Sequence, residues 1–236
     1  MDSVSIVIPI YNEEENLEYL IEEIQETLGS KIDFEIIAID DYSFDKSYDL
    51  LKRLKNKYNI KIFKNSQNLG QSMSIKRGID ESSRETIVTI DADLQNNPKD
   101  ILRLIKIYFE NDYSLVGGIR NKRKDKIIKI LSSKIANVIR SSILKDKCKD
   151  TGCSLKIFSK LVFQNFIFFD GIHRFLPAMF SGYGYKTYFV NVDHRPRIKG
   201  YSKYGIYNRF FKGIYDIYRV YFILKKIKKE KIVKFK

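Results

Sequence analysis

The chain has 236 residues, 44% of them hydrophobic, 14% aromatic and 31% charged, with a formal net charge of +14. That is long for one domain and short for two, and apolar enough for a sizeable core, which excludes a disordered, collagen-like or disulfide-stapled chain. Cys148 and Cys153 are too few for a four-cysteine zinc site, no run approaches the roughly 20 apolar residues of a spanning helix, and Met1-Asp2-Ser3-Val4 shows no basic region followed by a long apolar run, so export by a signal peptide is not expected.

Val4 to Pro9 reads as the first strand. Asn12 and Glu15 have capping-box spacing, and Leu17, Leu20, Ile21, Ile24 and Leu28 form one helical stripe ending at Gly29. Phe34 to Ile39 is the expected second strand, ending in Asp40-Asp41, after which Ser43 can cap a helix carrying Tyr48, Leu51 and Leu54. Ile60 to Phe63 makes a third strand, and a short helix follows Asn68-Leu69-Gly70. Thr86 to Ile90 is the fourth strand, ending in Asp91-Ala92-Asp93, and Pro98 opens a helix bearing Ile101, Leu102, Ile105 and Phe109. This alternation predicts an α/β domain with a mostly parallel, Rossmann-like sheet, helices on both faces and ligands at the carboxyl ends of the strands.

The first β-α turn, Ile8-Pro9-Ile10-Tyr11-Asn12-Glu13-Glu14, carries neither the glycine fingerprint of a dinucleotide site nor a P-loop. Carboxylates at strand ends stand in their place. Side chains alternate along an extended segment, so Asp91 and Asp93 are expected on one side, able to reach one cation, with Gln95 as a third oxygen donor. Hard oxygen ligands suit Mg²⁺ or Mn²⁺. D-x-D alone is a common tripeptide and equally describes solvated turn formers.

The wider pattern is more specific. V-I-P-I-Y-N-E-E-E-N-L at 7–17, I-D-D-Y-S-F-D at 39–45, N-L-G at 68–70 and D-A-D-L-Q-N-N-P at 91–98 resemble the family 2 inverting glycosyltransferases, in the branch of dolichol-phosphate mannose synthase and the bacterial polyprenyl-phosphate glycosyltransferases. D-T-G-C-S-L-K at 150–156, H-R-F-L-P at 173–177 and H-R-P-R-I-K-G-Y-S-K-Y-G at 194–205 extend the resemblance to about residue 220. It implies a GT-A type fold and metal-dependent transfer of a sugar from a nucleotide sugar, with uridine favoured, to a polyprenyl phosphate in cell-envelope glycan synthesis. Pro9, Tyr11, Glu13 and Asp40 would line base and ribose, with Asp41 beside them. Asp91, Asp93 and Gln95 would hold Mg²⁺ or Mn²⁺ against the donor diphosphate, and Arg197 and Lys203, in the R-x-x-G-x-S-K pattern with Ser202, would close over it. Arg120, Arg123, His173 and Arg174 are the candidates for gripping the lipid phosphate. A phosphate monoester is already largely anionic near neutral pH, so the acceptor needs positioning more than a general base. Asp150 would orient these cations or touch sugar hydroxyls. Arg195 is either a further diphosphate contact or a surface charge, and Cys153, without partner ligands, reads as a buried thiol.

Charge is unevenly spread: residues 1–50 carry 14 acids against 2 bases, residues 120–149 carry 11 bases against 2 acids, and residues 199–236 carry 12 against 2. The later segments therefore suit an anionic partner. We expect a catalytic part over 1–205 and a basic amphipathic extension over 206–236 without a transmembrane helix. In that extension Phe210, Phe211, Ile214, Ile217, Tyr218 and Tyr221 precede a lysine cluster. It reads either as an interfacial helix on anionic lipid or as a helix packed on the core. The first places the protein on the cytoplasmic face of the inner membrane, and a homo-oligomer is compatible with both. Two rival classes are a soluble family 2 enzyme acting on a polysaccharide hydroxyl and a basic nucleic-acid module. No RNA- or DNA-binding motif supports the latter, so nucleic acid is not an expected partner.

Overall fold

The computed structural model describes residues 3–120, 137–196 and 206–234, and within the last segment the side chains of 213–228. In chain order the elements are β1 (Ser3–Ile10), α1 (Leu17–Leu28), β2 (Asp33–Asp40), α2 (Ser47–Lys55), β3 (Ile60–Lys64), α3 (Gln71–Asp80), β4 (Thr86–Thr89), α4 (Lys99–Phe109) and β5 (Leu115–Arg120). A helical stretch at 137–144, α5, follows. Then come β6 (Lys156–Ser159), α6 (Lys160–Gln164), a 3-10 turn (Ile172–Arg174), α7 (Leu176–Gly182), β7 (Thr187–Val192) and α8 (Ile206–Lys234).

The strands form one seven-stranded sheet in the order β3-β2-β1-β4-β6-β5-β7. β6 alone runs against the others, pairing antiparallel with both β4 and β5, while β5 and β7 pair parallel. Strand order reverses direction at β1, between β2 and β4, and an open α/β sheet offers its ligand crevice at the carboxyl edge of such a point. The expected alternation of faces is present. Ile6, Ile8, Ile36 and Ala38 pack with Leu20 and Ile24 of α1, Leu51 of α2 and Leu104 of α4 on one side. Val7, Ile37 and Ile39 pack with Ile75 and Ile79 of α3, Phe180 of α7, and Val220 and Leu224 of α8 on the other. α3 lies so close to β1 that a Cβ at Gly78 would come 2.4 Å from Val7 Cγ1, so the C-terminal half of α3 sits hard against the sheet.

Local expectations fail at the first two helix starts, for one reason. Asn12 does not cap α1, which begins at Leu17 behind Asn16. Its backbone is left-handed (φ +54), its N–H donates to Ser43 Oγ (2.9 Å) and its Oδ1 accepts from Phe44 N–H (3.0 Å). Ser43 is therefore spent on the neighbouring loop, and α2 begins at Ser47, whose Oγ accepts from Glu13 N–H at 2.8 Å. Glu14 and Asp45 complete the exchange: Glu14 N–H donates to Asp45 Oδ2 (3.1 Å) and Lys46 N–H to Glu14 Oε2 (2.7 Å). Residues that look like helix caps instead lace two strand-end loops together.

α8 has one stripe packed on the core and another that is exposed. Asp216, Val220 and Leu224 are buried along one stripe, while Tyr215, Tyr218 and Phe222 are exposed along another, followed by exposed Lys225, Lys226 and Lys228. Among the described residues no helix is long and apolar enough to cross a membrane.

Candidate active site

The loops after β1, β2 and β4 converge at the carboxyl edge of the sheet, and each contains a non-glycine residue with positive φ: Asn12 (+54), Tyr42 (+64) and Leu94 (+58). Left-handed backbone at side-chain-bearing residues costs on the order of 1–3 kcal/mol each and collects where a site dictates the chain's course.

Asp40 ends β2, paired in register with Ile10 at the end of β1. It is fully buried, its Oδ2 accepts from Ser43 N–H at 3.3 Å, and Oδ1 has no hydrogen-bond partner among the described residues. A buried acceptor left in that state costs about 1–3 kcal/mol, which a ligand donor would recover. Pro9 and Tyr11 are half-buried alongside, with Tyr11 edge-on to Phe44 at 6.0 Å. Glu13 accepts from Asn16 Nδ2 (2.7 Å) and so faces the base of α1. Asp41 is engaged by the chain itself: Oδ1 accepts from Asn65 Nδ2 (2.7 Å) and Leu69 N–H (2.8 Å), Oδ2 from Gly70 N–H (2.8 Å). Its carboxylate shapes the 65–70 loop that delivers α3.

The Asp91-Ala92-Asp93 segment is not extended. β4 stops at Thr89, and residues 92–93 form a turn closed by left-handed Leu94. The two carboxylates are gathered by that turn and not by strand alternation. Asp91 Oδ1 accepts from Gln71 Nε2 at 2.7 Å, and buried Asp93 accepts from Gln95 N–H at 3.2 Å. Burial, and next the charge of Asp93, push the Asp91 carboxyl up to about 6. Gln95 reaches the segment after β7: its carbonyl accepts from Arg195 N–H at 2.8 Å, and Asn96 bridges to His194.

Among the described residues no group of three or more His, Cys, Asp or Glu forms a ready metal cage. Two neighbouring carboxylates, one of them lifted by burial and by the charge of the other, nonetheless fit a hard divalent cation, because Mg²⁺ is usually held by one or two carboxylates with waters and substrate phosphates.

The segment leading into β6 supplies a brace that the strand pattern does not disclose. Ser154 Oγ accepts from Asp91 N–H (3.2 Å) and donates to Asn96 Oδ1 (2.8 Å), while Thr89 Oγ1 donates to Ser154 O (2.6 Å). Lys156 is buried, donates to Cys153 O, and adds positive charge that acts on Asp91 and Asp150; burial lowers its own pKa. A lysine inside the apolar run Leu155 to Phe158 was the available signal. Cys153 is buried and forms no disulfide, its Sγ accepts from Asn96 Nδ2 at 3.7 Å, and burial pushes its thiol up.

Two cationic clusters border the carboxylates. Arg120 at the end of β5 forks onto Asp150, Nε to Oδ2 and Nη2 to Oδ1, both at 2.7 Å, and its backbone N–H also donates to Oδ2 at 3.1 Å. His173 Nδ1 lies 2.6 Å from Ser72 Oγ, and Arg174 Nη2 lies 3.6 Å from Asp216 Oδ2. Arg195 forks onto Glu23 of α1 at 2.8 and 2.6 Å and anchors the chain after β7 beside the carboxylate turn. Arg123, Arg197, Ser202 and Lys203 lie outside the described residues.

A doubly wound, mostly parallel sheet with acidic loops at its switch point is the GT-A architecture, and the solved structures it resembles agree. Glucosyl-3-phosphoglycerate synthase from Mycobacterium tuberculosis, solved with Mn²⁺, uridine-diphosphate and phosphoglyceric acid, superposes at TM-score 0.64 with 19% identity, covering 83% of this chain and 71% of that one. S. aureus TarS 1-349 in complex with UDP superposes at 0.62 with 16% identity over 94% and 65%. Residues 5–167 match glycosyl transferase family 2, and the chain belongs to that family. It is 33% identical over 220 residues to the undecaprenyl-phosphate 4-deoxy-4-formamido-L-arabinose transferase of Yersinia pestis (strain Pestoides F), a stretch covering 91% of this chain and 66% of the relative's length. It is 32% identical over 228 residues to the dodecaprenyl-phosphate galacturonate synthase of Rhizobium johnstonii, covering 94% and 67%.

Proposed function

We propose that this protein transfers a sugar from a nucleoside-diphosphate sugar, with a uridine nucleotide favoured, to a polyprenyl phosphate with inversion at the anomeric carbon. The observation that carries the reading is the juxtaposition at one sheet edge of a crowded carboxylate pair and a carboxylate-braced arginine. The similarity to two polyprenyl-phosphate enzymes supports the acceptor class.

Asp40, with Pro9, Tyr11 and Glu13, receives the nucleoside, and Asp41 serves it by holding the 65–70 loop. Asp91 and Asp93, with Gln95, would hold Mg²⁺ or Mn²⁺, which when bound neutralises the leaving diphosphate. Arg197 and Lys203, with Ser202, add cationic and hydroxyl donors to the same group. Arg120, Arg123, His173 and Arg174 receive the acceptor phosphate. One of its oxygens attacks the anomeric carbon from the side opposite the diphosphate, the bond to the diphosphate breaks, and a sugar-phosphate ester and a nucleoside diphosphate result. No proton must be removed from the acceptor. Asp150, with both oxygens on Arg120, orients that arginine.

The exposed aromatic stripe and lysines of α8 bring the site to an anionic bilayer at its cytoplasmic face. The lysines beyond Leu224 are each worth about 1 kcal/mol near such a surface. Truncation after Leu224 should then reduce co-sedimentation with anionic liposomes, most clearly at low salt, and spare UDP binding.

The test of the reaction is turnover of a panel of nucleotide sugars with Mn²⁺, with and without undecaprenyl phosphate. Formation of a lipid-linked sugar is expected. Transfer to a polysaccharide hydroxyl without lipid would replace this reading with that of a soluble family 2 enzyme.

A further inference from the structure

Residues 199–236 hold 12 bases and two acids, Asp216 and Glu230, and Asp216 is only 1% exposed. A carboxylate buried within a basic helix is costly unless partners answer its charge. Its answer lies in the turn that carries His173 and Arg174. Asp216 Oδ2 is 3.6 Å from Arg174 Nη2, and three residues further along α8 the Arg219 guanidinium stands 5.5 Å over the Phe169 ring. Gly171, at the start of the turn, has φ +107, and a Cβ there would come 2.8 Å from Asp216 Oδ2 and 3.4 Å from Arg174 Nη2. α8 is thus pressed onto the turn at a distance only glycine permits.

The turn is also held from α3. Gly171 N–H donates to Ser72 Oγ at 2.8 Å, and the same oxygen lies 2.6 Å from His173 Nδ1. Ser72 and Asp216 therefore clamp one short segment between two helices. Val220 and Leu224, buried on the same stripe of α8, already dock the helix by apolar contact. An acid adds little to such docking, whereas its charge acts directly on the guanidinium beside it.

We propose that Asp216 is a positioning residue for the acceptor: it holds Arg174 and the 171–174 turn in the arrangement that receives a phosphate monoester, which makes α8 part of the acceptor site. This rests on the reading that His173 and Arg174 bind the acceptor phosphate. The test measures dissociation constants for farnesyl phosphate and for UDP with Mn²⁺, together with Tm. The proteins compared are the wild type, Asp216→Asn, Arg174→Gln, the double variant and Val220→Ala. Asp216→Asn should weaken farnesyl phosphate about tenfold and leave UDP within twofold, the scale of one lost charge-assisted contact. The double variant should bind no more weakly than Arg174→Gln, and Val220→Ala should lower Tm while keeping farnesyl phosphate within twofold. Wild-type farnesyl phosphate binding in Asp216→Asn beside weakened binding in Arg174→Gln overturns the positioning role alone. Equal weakening of both ligands in Asp216→Asn reduces Asp216 to a fold residue and overturns it too. Unchanged binding in Arg174→Gln removes the acceptor assignment itself.

Discussion

The two ends of the sheet treat a carboxylate in opposite ways. At the amino end, Glu35 of β2 accepts from Ser5 Oγ (2.5 Å), Ser83 N–H (2.7 Å) and Ser83 Oγ (2.8 Å), and pairs with Lys61 at 2.7 Å. Burial alone would raise its pKa, but Lys61 and these donors outweigh it and hold the carboxyl at about 2. At the carboxyl end, burial and the neighbouring Asp93 push Asp91 to about 6. A carboxylate that its own chain answers completely belongs to the fold. One set against a second carboxylate is set for a cation from outside.

The strongest way to break this contrast is to neutralise one residue at each end. Asp93→Asn should reduce transfer by at least about 100-fold, the scale of removing a group that stabilises developing charge, while Tm holds or rises. Glu35→Gln should do the reverse, costing about 1–3 kcal/mol of stability in denaturant titrations with kcat unchanged. A catalytic loss in Glu35→Gln with intact stability would erase the distinction.

The pH dependence sharpens it. Glu35 is depressed on folding, so its stabilisation is fully present above about 4.5 and lost as pH falls toward 2. Asp91 is raised, so its contribution is fully present below about 3.8 and lost as pH rises through 6. Metal-free protein titrated with denaturant across this range should give difference curves of opposite slope for Glu35→Gln and Asp91→Asn. Saturating Mn²⁺ should flatten the Asp91 curve and leave the Glu35 curve alone. Smaller effects are expected from groups that serve the carboxyl end indirectly. Asp40→Ala should weaken UDP about tenfold, and Ser154→Ala should cost about 1 kcal/mol or less in stability and modestly weaken Mn²⁺, read by calorimetry.

What the sequence discloses follows the range of the interaction. Strands β1 to β4 were legible to within a residue or two because burial alternates locally, and Asp40, Asp91 and Asp93 were legible because each ends an apolar run. Asn12 and Ser43 look like caps in the sequence because their true partners lie about 30 residues away. The D-x-D geometry was anticipated with the wrong cause, since no local rule foretells the left-handed Leu94 that closes its turn. Ser154 and Asp216 escaped notice because their partners come from β4 and from the 3-10 turn, distant in the chain.

The reversed strand β6 has a consequence for how the chain reaches its final form. It sits between β4 and β5 although both precede it in the sequence, so during synthesis their facing edges stay unpaired until residue 159 has emerged. Edges of that kind are templates for association with other chains, and sheets closed by distant segments form slowly. The carboxylate turn after β4 also waits for Ser154, which arrives just ahead of the same strand. Exposed strand edges and an unbraced carboxylate turn thus share one window in the life of the nascent chain, and a single insertion event closes both.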